Sequence, residues 1–87
     1  MEEVRETVQE VGERVKVLAS FTGLKITIHF FSWRGRTYKV DSMNLFHVEK
    51  DAERQIYNFA VSASGNTYQL TFDPVTLEWQ LKDIVDV

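Results

Sequence analysis

Residues 55–72, QIYNFAVSASGNTYQLTF, alternate large apolar side chains with smaller or polar ones on both sides of a turn signal. The side chains that share one face of these two runs are Tyr57, Phe59, Val61, Tyr68, Leu70 and Phe72. A period of two residues is typical of a half-buried strand, and the Ser-Gly-Asn sequence between the runs is typical of a tight turn. The stretch therefore predicts an antiparallel hairpin with one apolar face.

The same alternation continues toward both ends of the chain. It occurs in residues 15–21, in residues 37–48 and in residues 77–81, and turn signals separate these runs. Residues 24–33, LKITIHFFSW, carry Ile26, Ile28 and Phe30 on one face before the pattern shifts to Phe31 and Trp33, which predicts a bulge or twist near Phe30. About six short strands with no room for crossover helices predict a mainly β fold, a single antiparallel meander sheet that curls strongly.

The N-terminal segment has a different period. Val4, Val8, Val11 and Val15 are spaced by four, three and four residues, which is one stripe of a helix, and Gly12 is a plausible stop signal. We expect an N-terminal helix within residues 1–13, centred on 2–12, that packs on or beside the sheet of residues 14–87. The whole chain, residues 1–87, is expected to form one α+β domain.

Composition excludes several classes of protein. The 87 residues contain no cysteine, so disulfides, cysteine-ligated zinc and thiol catalysis are excluded. The acidic start MEEVRE is unlike a signal peptide, and no apolar run reaches the length of about 20 residues needed to cross a bilayer. We expect a cytoplasmic protein with no membrane partner.

Charge is unevenly distributed along the chain. The net charge is −3, yet residues 15–50 carry six Lys or Arg against two Asp or Glu. A polyanionic partner would have to meet this central basic segment, because the field of the whole molecule would not attract it.

Three cations of that segment surround one glycine in residues 30–40, FFSWRGRTYKV. Arg34 and Gly35 suit the tip of a hairpin. Phosphates could then meet Arg34, Arg36 and Lys39 while a base stacks on Trp33 or Tyr38, as in single-stranded nucleic-acid platforms. Lys16 and Lys25 could extend such a surface. A purely structural interpretation is equally simple, with Trp33 and Tyr38 in the core and the arginines solvated at the tip.

Catalytic and ligand-binding signatures are scarce. Any nucleophile would have to come from the serines, with His29 or His47 as base, and no nucleophile elbow surrounds them. The two histidines are 18 residues apart, a spacing that indicates no metal site, and the four glycines form no phosphate-binding loop. We therefore expect no catalytic residues, no metal and no cofactor.

Several residues carry a resemblance to a known group of proteins. They are Phe31, Trp33, Gly35, Tyr38, Val40, Asn44, Leu45, His47, Tyr57, Phe59, Val61, Tyr68, Leu70, Trp79 and Leu81. Over residues 14–87 the chain resembles short uncharacterised bacterial proteins that share a Trp-Arg-Gly-Arg-x-Tyr-x-Val core. That group has no assigned activity, and some similar domains lie beside Y-family DNA-polymerase-like proteins. The resemblance implies a link to DNA transactions by association and assigns no functional residue.

Two functional hypotheses follow. The first is a non-catalytic protein-interaction or accessory module that self-associates, for example as a homodimer, through a sheet edge or the helix. The alternative is a module that binds single-stranded nucleic acid through the hairpin residues Trp33, Arg34, Arg36 and Lys39.

Overall fold

The computed structural model describes residues 7–23 and 25–86, and these residues form eight antiparallel strands. The strands are β1 (Thr7–Arg14), β2 (Lys16–Thr22), β3 (Lys25–Trp33), β4 (Arg36–Lys39), β5 (Ser42–Asp51), β6 (Arg54–Ala63), β7 (Asn66–Asp73) and β8 (Glu78–Asp86). They build a five-stranded sheet in the order β1-β8-β7-β6-β5 and a three-stranded sheet in the order β2-β3-β4. The prediction of a mainly β, antiparallel fold is confirmed.

The prediction of a single six-stranded sheet is wrong, because the chain changes sheets twice. Only Val15 separates β1 from β2, and its amide donates to the Trp79 carbonyl in the larger sheet at 3.1 Å. At the second crossing the Val40 amide donates to His29 in the smaller sheet at 2.9 Å, whereas the Asp41 amide donates to Ser62 in the larger sheet at 2.8 Å. The run of residues 37–48, which looks like one strand in the sequence, is thus divided between the two sheets.

The predicted N-terminal helix is also wrong where the structure describes the segment. Residues 7–12 belong to β1, and residues 1–6 lie outside the described part of the chain. Val11 and Gly12 together face Lys82 of β8, because the register shifts between Glu10 and Glu13, and Gly12 adopts a φ of 65°. Val11 and Val15 pack against the core whereas Val8 is exposed, so the valines do not form the single apolar stripe of a helix, and their β-branched side chains favour strands.

The core lies between the two sheets and is rich in aromatic rings. Phe31 and Tyr38 of the smaller sheet stack at 4.9 Å between ring centroids, and Tyr68 of the larger sheet lies 5.0 Å from Phe31. The buried apolar residues are Ile28, Phe31, Tyr38, Phe59, Val61, Ala63, Tyr68, Leu70, Phe72, Leu81 and Ile84. The smaller sheet therefore covers the apolar face for which the sequence suggested a helix.

The predicted hairpins and bulge are confirmed. The turn Arg34-Gly35 joins β3 to β4 with φ of 50° and 76° at its two residues, as expected of a type I′ turn. In β3, Ile28 pairs with Ala19 and Phe30 with Leu18, so His29 is the extra residue that shifts the inward face from Ile28 to Phe31.

Candidate interaction surfaces

The tip of the β3–β4 hairpin is tied to β1 through Glu13. One Glu13 carboxylate oxygen, Oε1, accepts hydrogen bonds from Trp33 Nε1 at 3.0 Å and from Arg34 Nε at 3.2 Å. The other oxygen, Oε2, accepts from Arg34 Nη2 at 2.6 Å. The two hydrogen bonds of the Arg34 guanidinium form a bidentate pair, the strongest arrangement of these groups.

This contact shifts the titration of both charged partners. The hydrogen bond from Arg34, followed by that from Trp33, lowers the pKa of Glu13 below its usual value. The hydrogen bond to Glu13 raises the pKa of Arg34. The Arg34 guanidinium also lies over the Trp33 ring, 4.7 Å from its centroid. Trp33 and Arg34 are thus occupied by contacts within the protein.

The other two predicted residues lie on opposite faces of β4. Arg36 faces the same side as Tyr38 and lies over its ring, 5.3 Å from the centroid. Lys39 points outward and is exposed, opposite Phe30 of β3. The four residues chosen from the sequence are close in the chain, but Lys39 is on a different face from Trp33 and Arg36.

An open cleft of about 340 Å³ lies between the sheets beside this hairpin. Its apolar wall contains Trp33, Tyr38, Tyr68 and Ile84, and its polar side chains are Gln9, Arg36, Ser64, Asn66 and Asp86. Gln9 was not predicted as a site residue because it lay within the expected helix. Asn66 and Asp86 were not predicted because they lie at the ends of distant strands.

Strand β5 forms a free edge of the larger sheet. It pairs with β6 alone within the described residues. Three apolar residues of β5 are exposed to solvent, Leu45 by 57%, Phe46 by 47% and Val48 by 38%. Phe46 faces the same side as Phe59, 5.0 Å away between ring centroids, so the aromatic core reaches this edge without being covered there.

The outward face of β5 is more polar. His47 Nε2 lies 3.4 Å from Glu49 Oε1, and both residues line a small depression of about 70 Å³ with Leu45, Asn58 and Lys82. Adjacent apolar residues such as Leu45 and Phe46 point to opposite faces of a strand, which is the sequence signal for an edge exposed on both sides.

One serine does meet a histidine. Ser20 Oγ lies 2.9 Å from His29 Nε2, and both side chains are exposed on neighbouring strands of the smaller sheet. Across residues 7–23 and 25–86, no three His, Cys, Asp or Glu side chains are grouped so that they could hold a metal ion. No helix in this part of the chain is long and apolar enough to cross a membrane.

Comparison with known proteins gives no relative for this fold or for these surfaces. No protein-family model, no curated protein and no solved structure matches the chain. The resemblance to short bacterial proteins with a Trp-Arg-Gly-Arg core is not tested by these comparisons and stays a prediction.

Proposed function

We propose that the protein is a non-catalytic interaction module that self-associates by pairing β5 with the β5 strand of a second copy. The observation that supports this proposal is the free β5 edge with its exposed Leu45, Phe46 and Val48. A strand edge directs backbone N–H and C=O groups toward solvent, where another strand can satisfy them. Apolar side chains beside that edge add burial to the backbone pairing.

A second copy is a suitable partner because antiparallel pairing of β5 with itself is complementary. When His47 faces its own symmetry mate, Phe46 of each copy lies opposite Val48 of the other. An apolar pair then forms on each side of the two-fold axis. In this register Leu45 faces Glu49, and neither Lys50 nor Asp51 faces a residue of its own charge. The two five-stranded sheets would join into one sheet of ten strands.

Sedimentation velocity over a series of protein concentrations tests this proposal. We expect the average mass of the full chain to rise from that of one copy toward that of two. The variant Phe46→Lys should remain a monomer at every concentration, because it places two cations inside the paired edge. Val75→Lys is the matched control, since Val75 is 82% exposed in the turn between β7 and β8, away from β5.

Three results would contradict the proposal. They are a monomer at all concentrations, a dimer that Phe46→Lys leaves intact, and equal losses of dimer in the two variants. Circular dichroism of each variant confirms that the fold is retained before its mass is interpreted.

Single-stranded nucleic-acid binding by the hairpin is the second candidate. The specific observation in its favour is that Arg36 and Lys39 are exposed and form no ion pair with any described residue. The contact of Arg34 and Trp33 with Glu13 weighs against it, because both groups would have to leave that carboxylate to meet a phosphate and a base.

A further inference from the structure

We propose that the cleft beside the β3–β4 hairpin binds a small zwitterion, a molecule of the α-amino-acid type with a carboxylate, an ammonium group and an apolar body. The proposal goes beyond self-association and does not depend on it, because Phe46 and Val48 of β5 are not among the residues that line the cleft.

Arg36 supplies the site for the carboxylate. Its guanidinium lies over the Tyr38 ring at 5.3 Å, and Tyr38 is itself stacked on Phe31. A guanidinium is planar and can stack on an aromatic ring, and its paired N–H groups match the two oxygens of a carboxylate. No carboxylate in the described part of the chain occupies these donors.

Asp86 supplies the site for the ammonium group. It lies at the end of β8 and lines the same cleft as Arg36, yet the two side chains form no ion pair with each other. A polyanion in this cleft would meet Arg36 but would be repelled by Asp86, whereas a zwitterion satisfies both charges.

The remaining lining suits a small ligand with an apolar part. Tyr68 and Ile84 are buried core residues that form the apolar wall, and Asn66 adds an amide that can both donate and accept hydrogen bonds. A volume of about 340 Å³ lies near the lower end of the range of roughly 300–1,000 Å³ that ligand pockets occupy.

Nuclear magnetic resonance of the ¹⁵N-labelled full chain tests the proposal with phenylalanine as the probe. We expect saturable shifts of the Trp33 indole N–H and of the backbone amides of Asn66 and Asp86. N-acetylphenylalanine keeps only the carboxylate and phenylalanine amide keeps only the ammonium group. Each should bind about tenfold more weakly than phenylalanine, because one charged group of the site loses its partner.

Two variants test which residue of the cleft contacts each charged group of the ligand. Arg36→Gln should weaken phenylalanine about tenfold and leave phenylalanine amide unchanged, whereas Asp86→Asn should weaken phenylalanine and leave N-acetylphenylalanine unchanged or tighter. Lys39→Gln and Asp83→Asn are matched controls, since Lys39 points outward from β4 and Asp83 lies opposite Gln69 outside the cleft. Both controls should bind phenylalanine as the unmodified chain does.

Several outcomes would overturn the proposal. The absence of saturable shifts with phenylalanine removes the site, and equal weakening in the controls shows that the response is not specific to the cleft. If one of the blocked analogues binds as tightly as phenylalanine, the cleft recognises a single peptide terminus and not a zwitterion. Dispersed amide spectra of each variant show that its fold is intact.

Discussion

Glu13 and Arg34, 21 residues apart in the chain, meet at 2.6 Å between Glu13 Oε2 and Arg34 Nη2. Glu13 belongs to the five-stranded sheet and Arg34 to a turn of the three-stranded sheet, so their contact joins the two layers. The Trp33 indole donates to the same carboxylate at 3.0 Å. The contact therefore determines how the hairpin tip is held and which of its cations are available to a partner.

The stability that this contact contributes should depend on pH. The hydrogen bonds from Arg34 and Trp33 lower the pKa of Glu13 below 4.5, the ordinary value of a glutamate. The contribution is fully present above pH 4.5 and is lost as the pH falls through the lower, folded-state pKa. We expect the melting temperature of Glu13→Gln to lie below that of the unmodified chain at neutral pH, with the difference closing in acid.

Glu10→Gln is the matched control for this experiment, since Glu10 is an exposed residue of the same strand and pairs with Asp83 of β8. It should melt at the temperature of the unmodified chain or slightly above it at neutral pH, because it removes the repulsion between two opposed carboxylates. A difference for Glu13→Gln that persists or widens in acid would show that the carboxylate charge is not what stabilises the tip. Because the pair is partly exposed, added salt should reduce the difference.

The nucleic-acid hypothesis makes a separate prediction for Glu13→Gln, which concerns binding and not stability. If the hairpin binds a single strand, Glu13→Gln should tighten binding, because Arg34 is freed to meet a phosphate. The salt dependence should then steepen by about 0.7 in log–log slope for the added contact. Fluorescence anisotropy of a labelled oligonucleotide measures both effects.

Arg36→Glu and Lys39→Glu should each weaken oligonucleotide binding. Asp83→Asn is the control, and it should change the affinity only slightly because it removes one distant charge. The absence of binding at about 50 mM salt would remove the hypothesis, since nonspecific electrostatic binding is strong at low salt.

Substitution of Phe59 tests the assignment of the core. Phe59 is 2% exposed and its ring lies 5.5 Å from that of Trp79 across the larger sheet. Phe59→Ala should lower the free energy of unfolding by about 3–5 kcal/mol, which is enough to unfold a domain of this size. Trp79 is only half-buried, so Trp79→Ala should cost less. Urea unfolding followed by circular dichroism gives both values, and Val75→Ala, in an exposed turn, should be close to neutral. Equal tolerance of Phe59→Ala and Val75→Ala would contradict this core.

Substitution of Asp73 tests whether its side chain stabilises the turn between β7 and β8. Asp73 Oδ1 accepts from the amides of Val75 at 2.8 Å and Thr76 at 3.3 Å, and its Oδ2 accepts from Arg54 at 3.0 Å. The hydrogen bond from Val75 is the largest cause that lowers the pKa of Asp73 below 3.8. Asp73→Ala should lower the melting temperature more than Asp73→Asn, because asparagine keeps an acceptor for the turn amides.

The pH dependence of the melting temperature distinguishes the contribution of the Asp73 charge from that of its hydrogen-bond acceptors. The stabilisation by the ionised group is present above pH 3.8 and is lost as the pH falls through the folded-state pKa, so the gap between the unmodified chain and Asp73→Asn should close in acid. An Asp73→Ala variant that melts with the unmodified chain at neutral pH would contradict a role for the turn hydrogen bonds.

The hairpins could be predicted from sequence because their causes are local. Alternation around Ser64-Gly65 and Arg34-Gly35 requires only that each strand has one apolar face and that glycine accepts a positive φ. The bulge near Phe30 was visible for the same reason, as a change of face within one run. The valine stripe misled because Val8, Val11 and Val15 have helix-like spacing, whereas in the structure Val8 is exposed and only Val11 and Val15 pack against the core.

The candidate surfaces were only partly predictable. The exposed Leu45 and Phe46 could have been recognised as adjacent apolar residues on one strand, but nothing in the sequence shows that β6 is the one neighbour of β5 among the residues that the structure describes. Arg36 and Asp86 are far apart in the chain, and only the packing of the two sheets places them in one cleft.

The sequence by itself determined the antiparallel hairpins around Arg34-Gly35 and Ser64-Gly65 and the inward face of residues 55–72, because these depend on interactions between neighbours in the chain. Tertiary structure decided where the chain changes sheets, at Val15 and at residues 40–41, since a corner is stable only when its backbone groups find partners in both layers. Tertiary structure also decided that Glu13 would meet Arg34, because no local rule links a carboxylate in one sheet to a turn in the other.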